Sequence, residues 1–86
     1  MRGLLGRRSL QSGEGILICP TWSIHTAFMR FRIDAVFLDR EGRVLKIVRE
    51  LRPWRAASCR GARAVLELPA GEAEQQGVVV GERLVS

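Results

Sequence analysis

Residues 33–51 place the tightest constraint on the fold. Two apolar-rich runs, Ile33 to Leu38 and Val44 to Leu51, flank the polar segment Asp39-Arg40-Glu41-Gly42-Arg43. Alternation in the first run puts Ile33, Ala35 and Phe37 on one face and Asp34, Val36 and Leu38 on the other, which is the period of a strand. The second run sets Val44, Lys46 and Val48 against Leu45, Ile47 and Leu51. Gly42 supplies the positive φ that a type I turn with a G1 bulge requires. Asp39 is placed to accept backbone N–H groups in the same turn. The pattern predicts a β-hairpin.

The flanking segments extend this reading. Ile16-Leu17-Ile18-Cys19 is a short, continuous apolar run stopped by Pro20, as expected for a strand buried on both faces. Pro20 to Ser23 reads as a turn. Ile24 to Phe31 mixes β-formers before the polar interruption Arg30-Phe31-Arg32. Arg52 to Gly61 is a basic connection, and Ala62 to Leu68 alternates as a half-exposed strand ended by Pro69. Gly71 to Gln76 suits one or two turns of helix, with Glu72 and Glu74 near its positive end and Gly77 as the stop. Val78 to Val80 reads as a last strand before a Gly81-Glu82 turn. The first fifteen residues are loop-like, with one helical turn near Leu4. The chain is thus expected to be mainly β, with five or six short strands and one short helix near residues 71–76, in a single domain over residues 1–86.

Composition matters mainly through charge. A 47% hydrophobic content supplies enough apolar surface to offset the entropy of ordering. No apolar run nears the ~18 residues of a membrane span, and the N-terminus lacks the apolar stretch of a signal peptide, so a cytoplasmic location is expected. The net charge of +5 is unevenly spread. Residues 44–66 hold six basic side chains against Glu50 alone, whereas residues 67–86 hold Arg83 against four glutamates. Such polarity bears on partners more than on fold.

The stretch from Ser23 to Asp39 (Ser-Ile-His-Thr-Ala-Phe-Met-Arg-Phe-Arg-Ile-Asp-Ala-Val-Phe-Leu-Asp) resembles the central signature of the family called domain of unknown function 192. Arg2-Gly3-Leu4-Leu5-Gly6-Arg7, Gly13-Glu14-Gly15 and Gly42-Arg43-Val44 are similar to its surroundings. Ala64 to Gly71 and Val80 to Leu84 look like its closing motifs, so the likeness runs through nearly the whole chain. The resemblance implies a compact antiparallel β-sandwich or barrel-like domain, and it brings no activity with it. Members usually begin with a further strand, so this chain reads as short at its N-terminus, with an unpaired sheet edge as the expected result. Arg32 stands where many members have Pro, which predicts a different turn or bulge there.

Several residues could carry chemistry. His25, the one histidine, would be a general base oriented by Asp34 in an enzyme reading. No nucleophile elbow or phosphate-cradling loop accompanies the two, and a structural histidine is preferred. Cys19, His25 and Cys59, with Asp34 as a fourth group, are ligand types that suit zinc, but the paired spacings of a zinc site are missing. Two buried free thiols are preferred for the cysteines. Asp34 lies within an apolar strand and needs a partner if buried: Arg30, Arg32 or the N–H groups of a neighbouring loop. A hydrogen-bond anchor that fixes a loop is the preferred role.

Arg49, Arg52, Trp54, Arg55, Arg60 and Arg63 interleave charge with an aromatic ring. That combination can track a phosphate backbone and stack a base, though arginines on a solvated loop explain it equally well. Trp22 and Trp54 are expected as partial core or lid residues. No cofactor is called for. The leading reading is a non-catalytic binding or accessory module in which loops around His25 and the Arg-rich connection form the contact surface, with a protein partner and weak nonspecific nucleic-acid binding both left open. A small enzyme centred on His25 and Asp34, and a nonspecific nucleic-acid-associated protein using the 49–63 region, remain the alternatives.

Overall fold

The hairpin has the limits that its alternation and turn residues imply. Ile33–Leu38 forms β3 and Val44–Leu51 forms β4, paired antiparallel. In the turn between them, Asp39 Oδ1 accepts the N–H of Glu41 at 2.8 Å and of Arg43 at 2.9 Å, while Gly42 takes φ 81°. The computed structural model describes residues 15–27 and 30–84. Within them, Ile16–Ile18 is β1, Ser23–His25 β2, Ala56–Ser58 β5, Ala64–Pro69 β6 and Glu72–Gln75 the short helix α1. The protein is mainly β, with antiparallel sheets and one short helix among the described residues.

β1, β6, β3 and β4 form a four-stranded sheet in that order, and β2 pairs with β5 in a separate two-stranded ribbon. Both faces of the larger sheet are covered. On one face Val36, Leu38, Val44, Leu66 and Leu68 pack with Ala73 of α1 and Val78 of the segment after it. On the other, Phe37, Ala35, Val65 and Ala62 meet Ile24 and Ala57 of the ribbon. β3 is therefore buried along its whole length, as a central strand flanked by two layers must be.

The packing departs from the sequence expectations at five places. β6 is central, so Val65 to Leu68 are all buried, whereas alternation suggested half-exposure. β1 is an outer strand, not one buried on both faces: Ile16 is 59% exposed because β6 pairs with it on one side and the ribbon leaves it uncovered. The two-face division of β4 fails at its start, where a bulge leaves Val44 in the helix-side cluster and turns both Leu45 and Lys46 toward the ribbon. Residues 78–80 form no strand; Val78 plugs the core and Val79 and Val80 are exposed, and only Arg43 and Arg83 form an isolated bridge beyond them. The basic connection contains a strand, β5, whose Ala-Ala-Ser sequence has little β propensity of its own. The expected helical turn near Leu4 and the Gly-Leu-Leu segment lie outside the described residues.

Candidate binding surface

Asp34 is fully buried, and its carboxylate acts as a fixed anchor. Oδ1 accepts the N–H of Glu50 at 2.9 Å, while Oδ2 accepts those of Gly71 at 3.0 Å and Ala73 at 2.9 Å. One side chain thus ties an irregular point of β4 to the start of α1. Backbone N–H groups, and neither Arg30 nor Arg32, satisfy it. Arg32 instead pairs with Glu50 at 3.3 Å on the surface, beside the register shift between Ile33 and Ala35.

His25 lies elsewhere. It is exposed on β2, opposite Ala56 of β5. The shallow groove beside it, about 300 Å³, is lined by Ser23, Ile24, His25, Ala56, Ala57 and Ser58. Asp34 takes no part in that groove. Cys19 is exposed and Cys59 half-buried, both as free thiols, so burial fails for Cys19 because it sits past the end of an outer strand. Among the described residues, no three His, Cys, Asp or Glu side chains gather closely enough to hold a metal ion. Cys19, His25, Cys59 and Asp34 therefore do not converge.

The Arg-rich connection does come together with the His25 strand. β2 and β5 pair as Ser23↔Ser58, Ile24↔Ala57 and His25↔Ala56, so the ribbon is made from the histidine strand and the Arg-rich connection. Ile24 and Ala57 turn inward; Ser23, His25, Ala56 and Ser58 are exposed on the outer face. Arg52, Arg55 and Arg60 flank β5 in the chain, and all three are exposed, as are Arg49 on β4 and Arg63 before β6. Trp22 and Trp54 stand at opposite ends of the ribbon, 56% and 62% exposed, where partial burial was expected.

Thr26, which carried no signal in the sequence, organises one end of this surface. Its side chain is fully buried. Oγ1 donates to the carbonyl of Arg52 at 2.7 Å and accepts the N–H of Arg55 at 2.8 Å. Its backbone N–H donates to the Arg55 carbonyl and its carbonyl accepts the N–H of Trp54, at 2.8 and 3.0 Å. These bonds hold Trp54 at φ 60°, a left-handed conformation that costs a residue with a Cβ roughly 1–2 kcal/mol. A neighbouring Thr in a β-forming run gives no warning of such a role, because its partners come from a distant loop.

A second groove, about 390 Å³, lies at the β3–β4 turn, with Leu17, Leu38, Ala64 and Leu84 as its apolar lining and Asp39 and Arg83 beside them. The N–H of Arg43, then that of Glu41 and the charges of Arg43 and Arg83, hold the Asp39 carboxyl below its ordinary value. That carboxylate is already engaged in stabilising the turn.

With the geometry established, comparison with known proteins places the chain. Its sequence matches DUF192, described as uncharacterized ACR, over residues 1–86. The chain belongs to this family. A UPF0127 protein from Pyrococcus furiosus is 40% identical over 63 residues, which are 72% of this chain and 53% of that protein. The DUF192 chain thus spans about half the length of the curated relative it matches. The crystal structure of a protein of unknown function from Novosphingobium aromaticivorans has the same fold, with a TM-score of 0.72 at 23% identity, covering 81% of this chain and 55% of the other. No helix among the described residues is long and apolar enough to cross a membrane.

Proposed function

We propose that this chain is a non-catalytic binding module, one domain over residues 1–86, whose contact surface is the outer face of the β2–β5 ribbon with its surrounding arginines. One observation carries the reading: His25 and the Arg-rich connection, distant in sequence, are hydrogen-bonded into one ribbon. A rigid scaffold presenting polar residues at its surface is the usual architecture of a binding site. The enzyme reading has less support, since both oxygens of Asp34 are occupied by backbone N–H groups and it does not line the His25 groove.

A photo-crosslinking amino acid tests this reading. Placed at Ser58 on the ribbon, it is expected to give a higher-mass adduct on irradiation in the source cells. Placed at Gln75, exposed on α1, it gives none. No adduct at Ser58, or equal adducts at both positions, would overturn the proposal.

A further inference from the structure

The surface around the ribbon has a specific chemistry, and we infer that its partner is single-stranded nucleic acid, with Trp54 stacking on a base and Arg52 and Arg55 contacting the phosphates on either side. This rests on the binding-module reading and names the partner class for the same surface. Three observations converge on it.

The first is charge. Residues 52–63 carry four arginines, all exposed, and no acidic side chain. This stretch thus has a net positive field, which attracts a polyanion and suits the planar, bidentate recognition of phosphate. The second is the aromatic. Trp54 lies between Arg52 and Arg55 in the chain and, beside the contacts it already makes, keeps 62% of its surface exposed. A polyanion that only needed charge, such as an acidic peptide, would not require an indole at this position; a base offers it a π face.

The third is rigidity. Thr26 fixes the backbone of residues 52–55 through a fully buried hydroxyl and two backbone hydrogen bonds, holding Trp54 in its left-handed conformation. Strain that surrounding structure maintains at an exposed aromatic is the pattern of a preorganised contact. At about 3.3 Å per residue, the ribbon from Trp22 to Thr26 is about 13 Å long. It has room for roughly two or three nucleotides, a short track without sequence readout.

The test uses the full chain and a fluorescein-labelled oligothymidylate, with polyglutamate as a charge-only competitor. Binding is expected to weaken steeply with salt. Trp54→Ala is expected to weaken it about tenfold, with circular dichroism checking that the variant is folded. Trp54→Phe recovers most of the loss if stacking is the cause. Arg52→Gln with Arg55→Gln flattens the logarithmic salt dependence by about 0.7 for each phosphate contact removed. Both arginines meet Thr26 through backbone atoms only, so the clamp survives these changes. No binding at low salt, or polyglutamate competing equally with Trp54→Ala having no effect, would overturn the inference. The Ser58 adduct separates this failure from that of the surface itself: nuclease sensitivity supports a nucleic acid, whereas nuclease resistance with protease sensitivity rejects it and leaves the binding surface standing.

Discussion

The two faces of the four-stranded sheet are covered by layers of different make-up. On one side α1 and residues 78–84 close the core, and a buried carboxylate, Asp34, secures them by accepting N–H groups from β4 and from the start of the helix. On the other side a thin ribbon closes the core with Ile24 and Ala57, and a buried hydroxyl, Thr26, secures the loop that carries Trp54. Both of these buried side chains have hydrogen-bond partners, as burial requires. Yet Asp34 stabilises an element with no exposed aromatic, and Thr26 stabilises one that displays a tryptophan and arginines. The same physical device secures a helix end on one side and a loop with an exposed tryptophan on the other.

That contrast is most directly broken at Asp34. Replacing it with alanine strands three N–H donors, two of them at the α1 end, and is expected to cost about 4 kcal/mol. Domains of this kind hold only about 5–15 kcal/mol in total, so urea denaturation should show a large drop in midpoint or an unfolded chain at room temperature. Asp34→Asn should recover less than half of the loss, because its amide nitrogen would face an N–H. Stability within about 1 kcal/mol of the wild type would show that Asp34 is not the anchor.

Thr26→Val, close in volume, removes the hydroxyl alone and is expected to cost about 2 kcal/mol by leaving the Arg55 N–H without its side-chain acceptor. Its distinctive signature is local: amide exchange of Trp54 and Arg55 should quicken while that of β3 changes only in step with global stability. A smaller effect of opposite sign is expected at Glu50, whose φ of 50° is also left-handed. Glu50→Gly relieves that strain and loses an exposed ion pair of little worth, for a net gain of about 0.5 kcal/mol in a urea titration. A loss instead would place the Glu50 side chain in a larger role than its pairing with Arg32.

The parts of this fold that are legible in the sequence are those whose causes are local. β3 and β4 could be delimited to the residue because alternation, Asp39 and Gly42 all act within the hairpin. α1 was legible for the same reason, through Gly71, its acidic first turn and Gly77. β5 was not, since Ala56-Ala57-Ser58 becomes a strand only by pairing with β2 from far along the chain. The candidate site divides likewise. The arginines and Trp54 stood out by composition, and Asp34 stood out as a charge in an apolar run. Thr26 did not, because a threonine among β-formers is ordinary until the loop it holds is in place. Likewise the placement of His25 beside the Arg-rich connection is a product of tertiary pairing, with no local trace.

A comparably small effect is expected on the ribbon side of the sheet, where Glu67 lies on the face shared with Val65 and Ala35. Only 9% of it is exposed, and burial raises its carboxyl above the ordinary value of 4.5. The native state then holds this proton at pH values where the unfolded chain has lost it. Stability from this group is therefore greatest below pH 4.5 and declines as pH rises through the window up to the raised native value. Asp39 acts in the opposite sense: its carboxyl is lowered from 3.8, so its contribution is present above that pH and is lost as pH falls. Glu67→Gln should remove the decline on the higher-pH side, raise neutral-pH stability by on the order of 0.5 kcal/mol, and leave the acid limb set by Asp39 in place. Urea midpoints measured across this range would show it. A variant that keeps the wild-type decline would mean that another group titrates there, and the ribbon face of the sheet would then carry no desolvation cost at Glu67 to set against the anchor on the helix side.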